Sequence, residues 1–380
     1  MKNNKYKVFV VNPGSTSTKI ALFEGDTKMF QLDVDHGVEE LNKCENIQAQ
    51  LPIRMNTILD AIEKNNLDME GIDAFATRAG GLVGLKGGVY NIEENNVLFE
   101  TTSHSNRHPN VLGPQIVVAL SKKYGGKCFT VNPPDVDELC DYERLTGFYD
   151  VFRESRGHPL NQKENAIRYA NSIGKSYENL NIIVCHLGGG VTVGAHRNGK
   201  LIACNDCLSG DGPMAPTRSG WVPSTDVVKM CFSGQYTEKE ILERISKTGG
   251  FSDHLHTNDA REIHKMIDEG NEYAKLVYDG FIYQVAKQVG SCACALKGKV
   301  DAIILTGGMS KDVYLRDTLV EYISWIAPVI NQCGEFEMEA LSSGSIRVLS
   351  GQEKALEYTG IPVFSGFKCK GAPELKDYKG

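Results

Sequence analysis

The sequence predicts an α/β protein built from two related domains. Three observations carry that reading: a length of 380 residues, a strand–turn–strand–turn–strand unit that occurs twice in register, and a buried strand that runs through a Gly-Gly pair into a helix. Single hydrophobic cores stop growing at about 250–300 residues, so a chain of this length is expected to divide.

The first unit starts with Val8-Phe9-Val10-Val11, an apolar run typical of a buried strand. It ends at Asn12-Pro13-Gly14-Ser15-Thr16-Ser17-Thr18-Lys19. Ile20 to Phe23 is a second strand, Glu24-Gly25-Asp26 a turn, and Lys28 to Val34 a third strand. The second unit starts with Ile182-Ile183-Val184-Cys185 and ends its first strand at His186-Leu187-Gly188-Gly189-Gly190. Val191 to Ala195 follows, then Asn198-Gly199, a strong hairpin signal, then Leu201 to Cys204. Aligned without a gap, Asn12 meets His186, Gly14 meets Gly188, Ala21 meets Ala195 and Gly25 meets Gly199. Any two meanders share turns, but four such positions in register favour a duplication. Two like domains facing each other would form a cleft, a common place for a ligand.

Both units run a buried strand into a turn of small residues. Glycines there let backbone N–H groups approach a phosphate closely. The hydroxyls of Ser15, Thr16, Ser17 and Thr18 add donors, and Lys19 a positive charge. Neither turn is a Walker loop, and neither is a dinucleotide fingerprint, because a strand rather than a helix follows. Each alone reads more readily as a plain hairpin. The third element shifts the balance. Val300 to Leu305 is a buried strand ending at Thr306-Gly307-Gly308-Met309-Ser310, with a helix expected from about Lys311. A Gly-Gly junction lets a flat adenine or ribose lie on the backbone. Three such turns suggest one nucleotide spanning the cleft.

Composition narrows the partners. Hydrophobic residues are 41% and charged residues 23%, ordinary for a globular protein. A net charge of −7 without like-charge blocks argues against nucleic acid as the main partner. Met1 to Lys7 is polar and holds no apolar signal region, and no run approaches the roughly 18 apolar residues of a membrane span. No membrane partner and a cytoplasmic location are therefore expected. Eleven cysteines then read as reduced thiols. Cys204-x-x-Cys207 and Cys292-x-Cys294 invite a metal, but structural zinc wants four closely set ligands, so free thiols fit better.

These words resemble a known superfamily, the one that unites actin, sugar kinases, heat-shock chaperone ATPases and acetate kinase. N-P-G-S-T-S-T-K at 12–19, H-L-G-G-G at 186–190, G-D-G-P at 210–213, R-S-G at 218–220, T-N-D-A-R-E at 257–262 and E-M-E-A-L at 337–341 are similar to the acetate and butyrate kinase family, and closer to its butyrate kinase branch. The resemblance runs from residue 8 to about 358. It implies two duplicated actin-like ATPase domains, each a mixed five-stranded sheet flanked by helices, with the nucleotide in the interdomain cleft. The expected divisions are 1–156 for the acyl and phosphate domain and 157–332 for the nucleotide domain. Residues 333–362 should return to the first domain, with a helix from about Glu337 to Tyr358, and 363–380 should form a tail. In the second domain, a helix near Glu272 to Leu296 carries Val277, Phe281, Val285 and Val289 at spacing four, a core-facing stripe.

The family implies in-line phosphoryl transfer between ATP and butyrate, with ATP/ADP and Mg²⁺ as cofactors and a homodimer or higher homo-oligomer as the assembly. Isobutyrate, another branched acid or acetate is the alternative substrate, and a degenerate nucleotide-binding member the alternative class. By the same resemblance, Asn12 sits near the transferred phosphoryl group. Arg78 and Arg218 meet the acid or the phosphoryl, as two guanidinium forks suited to anionic oxygens. His158 donates to the phosphoryl in the transition state. His108 matches a histidine of the acyl site. His186 opens the second phosphate loop with Gly188, Gly189 and Gly190. Asp259 and Arg261 contact the adenosine, with Gly307, Gly308 and Met309 beneath it. Glu337 holds Mg²⁺ through water, with Glu339 as the fallback.

The sequence departs from the family at three places. The resemblance places Asn132 at the metal site beside Glu337, where an aspartate is usual; an amide lacks the charge to hold a dication, so either Asp135 or Asp137 substitutes, or metal affinity falls, or the enzyme is impaired. Residues 145–157 diverge, and Trp221 replaces a glycine.

Overall fold

The computed structural model describes residues 6–103 and 108–373. The polar start, residues 1–5, and the end of the expected tail, residues 374–380 with Lys376 and Lys379, lie outside the described residues. The chain divides into two compact units, one formed by Met1–Asp137 with Phe336–Gly380 and the other by Glu138–Glu335.

In the first unit, Lys7–Pro13 (β1), Ser17–Glu24 (β2) and Thr27–Asp35 (β3) form an antiparallel meander. Ala74–Thr77 (β4) and Lys127–Val131 (β6) extend it in parallel, and Val89–Asn91 (β5) closes the edge antiparallel to β6. The order is β3-β2-β1-β4-β6-β5. In the second unit, Ile182–Leu187 (β7), Val191–Arg197 (β8) and Lys200–Cys204 (β9) form the meander. Ala302–Thr306 (β10) and Val329–Asn331 (β11) join in parallel, giving the order β11-β10-β7-β8-β9. The two sheets share one topology, strand for strand, apart from β5. The first sheet therefore has six strands rather than the five expected. Three residues between Gly88 and Ile92 are too few to show a strand period.

The meanders also share details. Each has a register shift between its second and third strands, at Leu22/Phe23 and at Ala195/His196. Gly25 turns the first hairpin with φ 57°, and Asn198 and Gly199 turn the second with φ 52° and 72°. Two consecutive left-handed residues match the twist of the flanking strands, which is why Asn-Gly is favoured there.

Each sheet is packed by its own helices. Ile58 of helix Leu51–Lys64 and Ile116 of helix Gly113–Tyr124 join Phe9, Ile20 and Phe75 in the first core. Helix Glu272–Ala295 lays Val277, Phe281, Val285 and Val289 against the second sheet, as its spacing predicts. Burying each such side chain contributes about 1.5–3 kcal/mol. Helix Glu337–Leu349 packs on β1, β4 and β6 of the first unit. It ends nine residues short of Tyr358, because Gly351 turns left-handed at φ 76°. The chain then runs on without helix or strand, with Leu356 N donating to Val89 O at 2.7 Å and Val363 N to Gly84 O at 2.9 Å.

Candidate active site

Parallel strands that end together deliver their last residues to one edge, where α/β sheets usually bind ligands. In the first unit β1, β4 and β6 place Asn12, Arg78 and Asn132 at such an edge. In the second unit Thr306 pairs with His186, so β7 and β10 end level and present His186 beside Gly307.

In the first unit Glu337, in the first turn of its helix, joins two of these residues. Asn12 Nδ2 donates to Glu337 Oε2 at 2.9 Å, and Arg78 Nη1 to Oε1 at 3.0 Å. Arg78 Nε is enclosed and has no protein acceptor. Glu339 instead pairs with Lys28 at 2.8 Å, so Glu337 is the carboxylate beside Asn12. His108 accepts from Asn110 N at Nδ1, 3.2 Å, and its imidazole is held below its ordinary pKa by burial and by the Arg78 charge. Asn132 adopts a left-handed φ of 38°, which suits asparagine. Its N donates to Gly88 O at 2.9 Å and its Oδ1 accepts from Gly88 N at 2.8 Å. One lone pair of Asn132 Oδ1 is thus engaged by the backbone. Asp135 Oδ2 is enclosed without a partner, and burial pushes the carboxyl up to about 7, with the backbone N–H groups of Leu82 and Asp135, and then the Arg78 charge, pulling the other way. Among the described residues, no three His, Cys, Asp or Glu side chains group as a metal cluster.

The β1–β2 turn exposes Ser15 and Thr16, with Gly14 N donating to Ser17 O at 2.8 Å. Lys19 pairs with Asn12 across the strands, so both side chains share a face. The sequence reading missed what lies under this turn. Arg54 is fully buried and donates to Ser15 O at 2.9 Å, Ser17 O at 3.2 Å and Thr18 Oγ1 at 3.3 Å. Gln50 Oε1 accepts from the same guanidinium. These acceptors are all neutral, so a cation sits directly beneath the turn. A signal existed: Arg54 occupies the stripe of Ile58, Ala61 and Ile62, where an apolar residue is expected. Thr18 Oγ1 also meets His36 Nε2 at 2.7 Å, and burial with the Arg54 charge lowers that imidazole to about 4.

In the second unit His158 and His186 stack, centroids 4.1 Å apart and planes inclined by 21°. His158 precedes helix Pro159–Ser172 at a left-handed φ of 54°, a strain of the kind functional sites hold. His158 Nδ1 lies 3.1 Å from Thr192 Oγ1, and His186 Nδ1 lies 3.1 Å from Asn161 Oδ1. Arg218 lies against Gly190: a Cβ there would stand 1.8 Å from Nη1, so only glycine leaves room for the guanidinium. Arg218 Nε and Nη1 are enclosed without a protein acceptor. Gly189 is exposed, and Thr217 Oγ1 donates to its carbonyl at 3.3 Å.

The adenosine candidates are also in the second unit. Gly307 has φ 90°, and a Cβ on it would meet Leu187 O at 2.3 Å; Gly308 and Met309 begin a short 3-10 turn before helix Val313–Ile323. Asp259 caps helix Ala260–Asp268, accepting from Arg261 N at 2.9 Å, and the Arg261 guanidinium holds its carboxyl down at about 2. Arg261 is otherwise extended into solvent. Trp221 is half-exposed and lines a cavity of about 490 Å³ with Met230, Ile241 and Leu276.

A model of the acetokinase family matches residues 161–327. Over 354 residues the chain is 43% identical to butyrate kinase 2 of Clostridium acetobutylicum, which spans 93% of this chain and 99% of that protein. Butyrate kinase 1 of the same organism is 39% identical over 353 residues, with 93% and 99% covered. Among solved structures, Porphyromonas gingivalis acetate kinase superimposes with a TM-score of 0.75 at 21% identity, over 90% of this chain and 100% of that one. A propionate kinase from Francisella tularensis gives 0.68 at 18%, over 89% and 98%. At those identities the structural likeness speaks for the fold.

Proposed function

We propose, on the premise that this chain belongs to the acetokinase family alongside the butyrate kinases, that it is a carboxylate kinase carrying out the reversible reaction of butyrate and ATP to butyryl phosphate and ADP. A butyrate oxygen attacks the terminal phosphorus, and the bond from that phosphorus to the β–γ bridging oxygen breaks. Such a transfer needs positioning and charge neutralisation more than covalent chemistry.

One observation carries this reading. Arg78 and Arg218 each keep enclosed guanidinium N–H groups without a protein acceptor, at Nε in the first and at Nε and Nη1 in the second. Enclosed donors left unmade cost about 1–3 kcal/mol each, so a site that keeps them is built for anionic oxygens brought by substrate. We assign Arg78, with His108, to the acid, and Arg218, with His158, to the transferring phosphoryl group. Asn12, Lys19 and the hydroxyls of Ser15, Thr16 and Ser17 border phosphate, over the Arg54 charge. His186 and Gly188 to Gly190 form the second phosphate turn. Asp259, Arg261 and Gly307 to Met309 take the adenosine. A non-catalytic nucleotide switch has no use for a cation such as Arg78 on the acid side.

Mg²⁺, which needs few carboxylates because it keeps waters and substrate phosphates, would neutralise charge on the phosphate oxygens. Glu337 suits it through water, since both its oxygens are already oriented by Asn12 and Arg78. Asn132 Oδ1 accepts from Gly88 N and keeps a second lone pair for a metal-bound water. Among the described residues no helix is long and apolar enough to cross a membrane.

Trapping acyl phosphate with hydroxylamine across acids of two to five carbons tests the proposal. We expect the highest kcat/KM with a four-carbon acid and a graded fall on either side, each methylene being worth about 1–3 kcal/mol. Acetate outrunning every four-carbon acid would replace butyrate as the substrate. No acyl phosphate from any acid would remove the activity itself.

A further inference from the structure

Behind His158 runs a buried string of polar side chains whose hydrogen positions can be worked out from one fixed point. That point is the backbone carbonyl of Thr192, which can only accept. Gln162 faces it at 3.4 Å, so the amide side turned that way is NH₂, and the same nitrogen donates to Thr192 Oγ1 at 3.0 Å. Gln162 Oε1 is thereby turned to His196 Nε2, at 2.9 Å, which must carry the hydrogen. His196 is fully buried and kept neutral, its pKa lowered to about 3 by burial and then by Lys163. Its Nδ1 is therefore bare and accepts from Tyr177 Oη at 2.7 Å.

The other end follows. Thr192 Oγ1 accepts from Gln162 and donates its own hydrogen to Gly157 O at 3.2 Å. Its remaining lone pair faces His158 Nδ1 at 3.1 Å, so a fully satisfied string requires Nδ1 to be the donor. The opposite choice, with the hydroxyl turned to Nδ1, would strip Gly157 O of this donor and leave a lone pair of the hydroxyl unused.

We infer that Tyr177, His196, Gln162 and Thr192 form a tautomer lock, holding the hydrogen of His158 on Nδ1 and making Nε2 the nitrogen that gains or loses a proton. An acceptor on Nδ1 also favours the imidazolium form, the better donor to a phosphoryl oxygen. Thr192 is thus a positioning residue that acts through His158. The consequence for catalysis rests on the carboxylate-kinase reading; the tautomer does not.

Two substitutions and one spectrum test the lock. Thr192→Val keeps the volume and removes the hydroxyl, whereas Thr192→Ser keeps the hydroxyl and removes a methyl. We expect kcat to fall about 10- to 100-fold in Thr192→Val, with the KM values for nucleotide and acid within about threefold, and Thr192→Ser to stay within about threefold of the parent in all three. A packing role would reverse the ranking. In long-range ¹H–¹⁵N spectra of the histidine-labelled full chain at pH 9, with His158 assigned by its loss in His158→Gln, the neutral ring should carry its hydrogen on Nδ1. The Nε2–H tautomer there, or Thr192→Ser falling as far as Thr192→Val, overturns the inference. The spectrum decides the lock even if no acid proves to be a substrate.

Discussion

The β1–β2 turn of the first unit and the β7–β8 turn of the second occupy the same place in sheets of the same topology, yet hold their surroundings in opposite ways. The first turn is supported from beneath: the Arg54 guanidinium binds the Ser15 and Ser17 carbonyls while Ser15 and Thr16 stay exposed. The second turn is cleared from within, since Gly190 has no side chain so that Arg218 can lie on it. Their equivalent strand-end residues diverge too: Asn12 binds a carboxylate and His186 stacks on another histidine. A duplicated backbone thus fixes where groups are delivered, and a few substitutions decide what is delivered. A cation reaches each turn by a different route, in one case through a helix and in the other through a distant loop.

The sharpest way to break this comparison is to exchange side chains at its equivalent positions, Gly190 and Thr16. Gly190 does not need a left-handed backbone, so Gly190→Ala should fold, but its Cβ would displace Arg218. We expect kcat/KM to drop about 10²- to 10³-fold in a protein of near-normal stability. Thr16→Ala, on an exposed turn residue, should cost about threefold or less. Steady-state kinetics with urea melts of both variants reads the contrast. Similar losses at the two positions would mean that Arg218 is not held by Gly190 for function.

These contrasts were unequally visible in the sequence. The meanders and their register were legible because apolar strand runs and Gly or Asn-Gly turns are local signals. The strand-end residues Asn12, Arg78 and His186 followed from them. Strand β5 was not, since three residues show no period and the strand exists only through pairing with β6. The last helix ends at Leu349 rather than at Tyr358, and Gly351 is the local stop signal for it. Arg54 escaped because the turn it supports lies about 40 residues away in the chain, although a charge on an apolar stripe was a flag. The Asn132–Gly88 clasp depends on a backbone angle and on tertiary contact, neither of which a residue type discloses.

A smaller effect sharpens the comparison through pH. Among the described residues, each unit holds a buried imidazole kept neutral, His36 in the first, lowered to about 4, and His196 in the second, lowered to about 3. In the unfolded chain both take up protons below about 6.5. Stability attached to them is therefore present above pH 6.5 and is lost as pH falls toward those lower values, because the unfolded state binds more protons. From pH 7 to pH 5 each should cost about 2 kcal/mol. Urea unfolding at the two pH values should show that loss reduced in His36→Asn and in His196→Asn. Losses as large as in the parent would place the acid sensitivity elsewhere.

The central claim is that the duplicated scaffold divides its labour, the first unit handling the acid and bordering the phosphate and the second binding the adenosine. Calorimetric titration of ATP into Arg78→Ala and Arg261→Ala, paired with the KM for butyrate of each, tests it most directly. Arg78→Ala should bind ATP within about threefold of the parent while its KM for butyrate rises at least about tenfold. Arg261→Ala should weaken ATP binding and leave the KM for butyrate unchanged. Equal losses of both ligands in both variants would contradict the division.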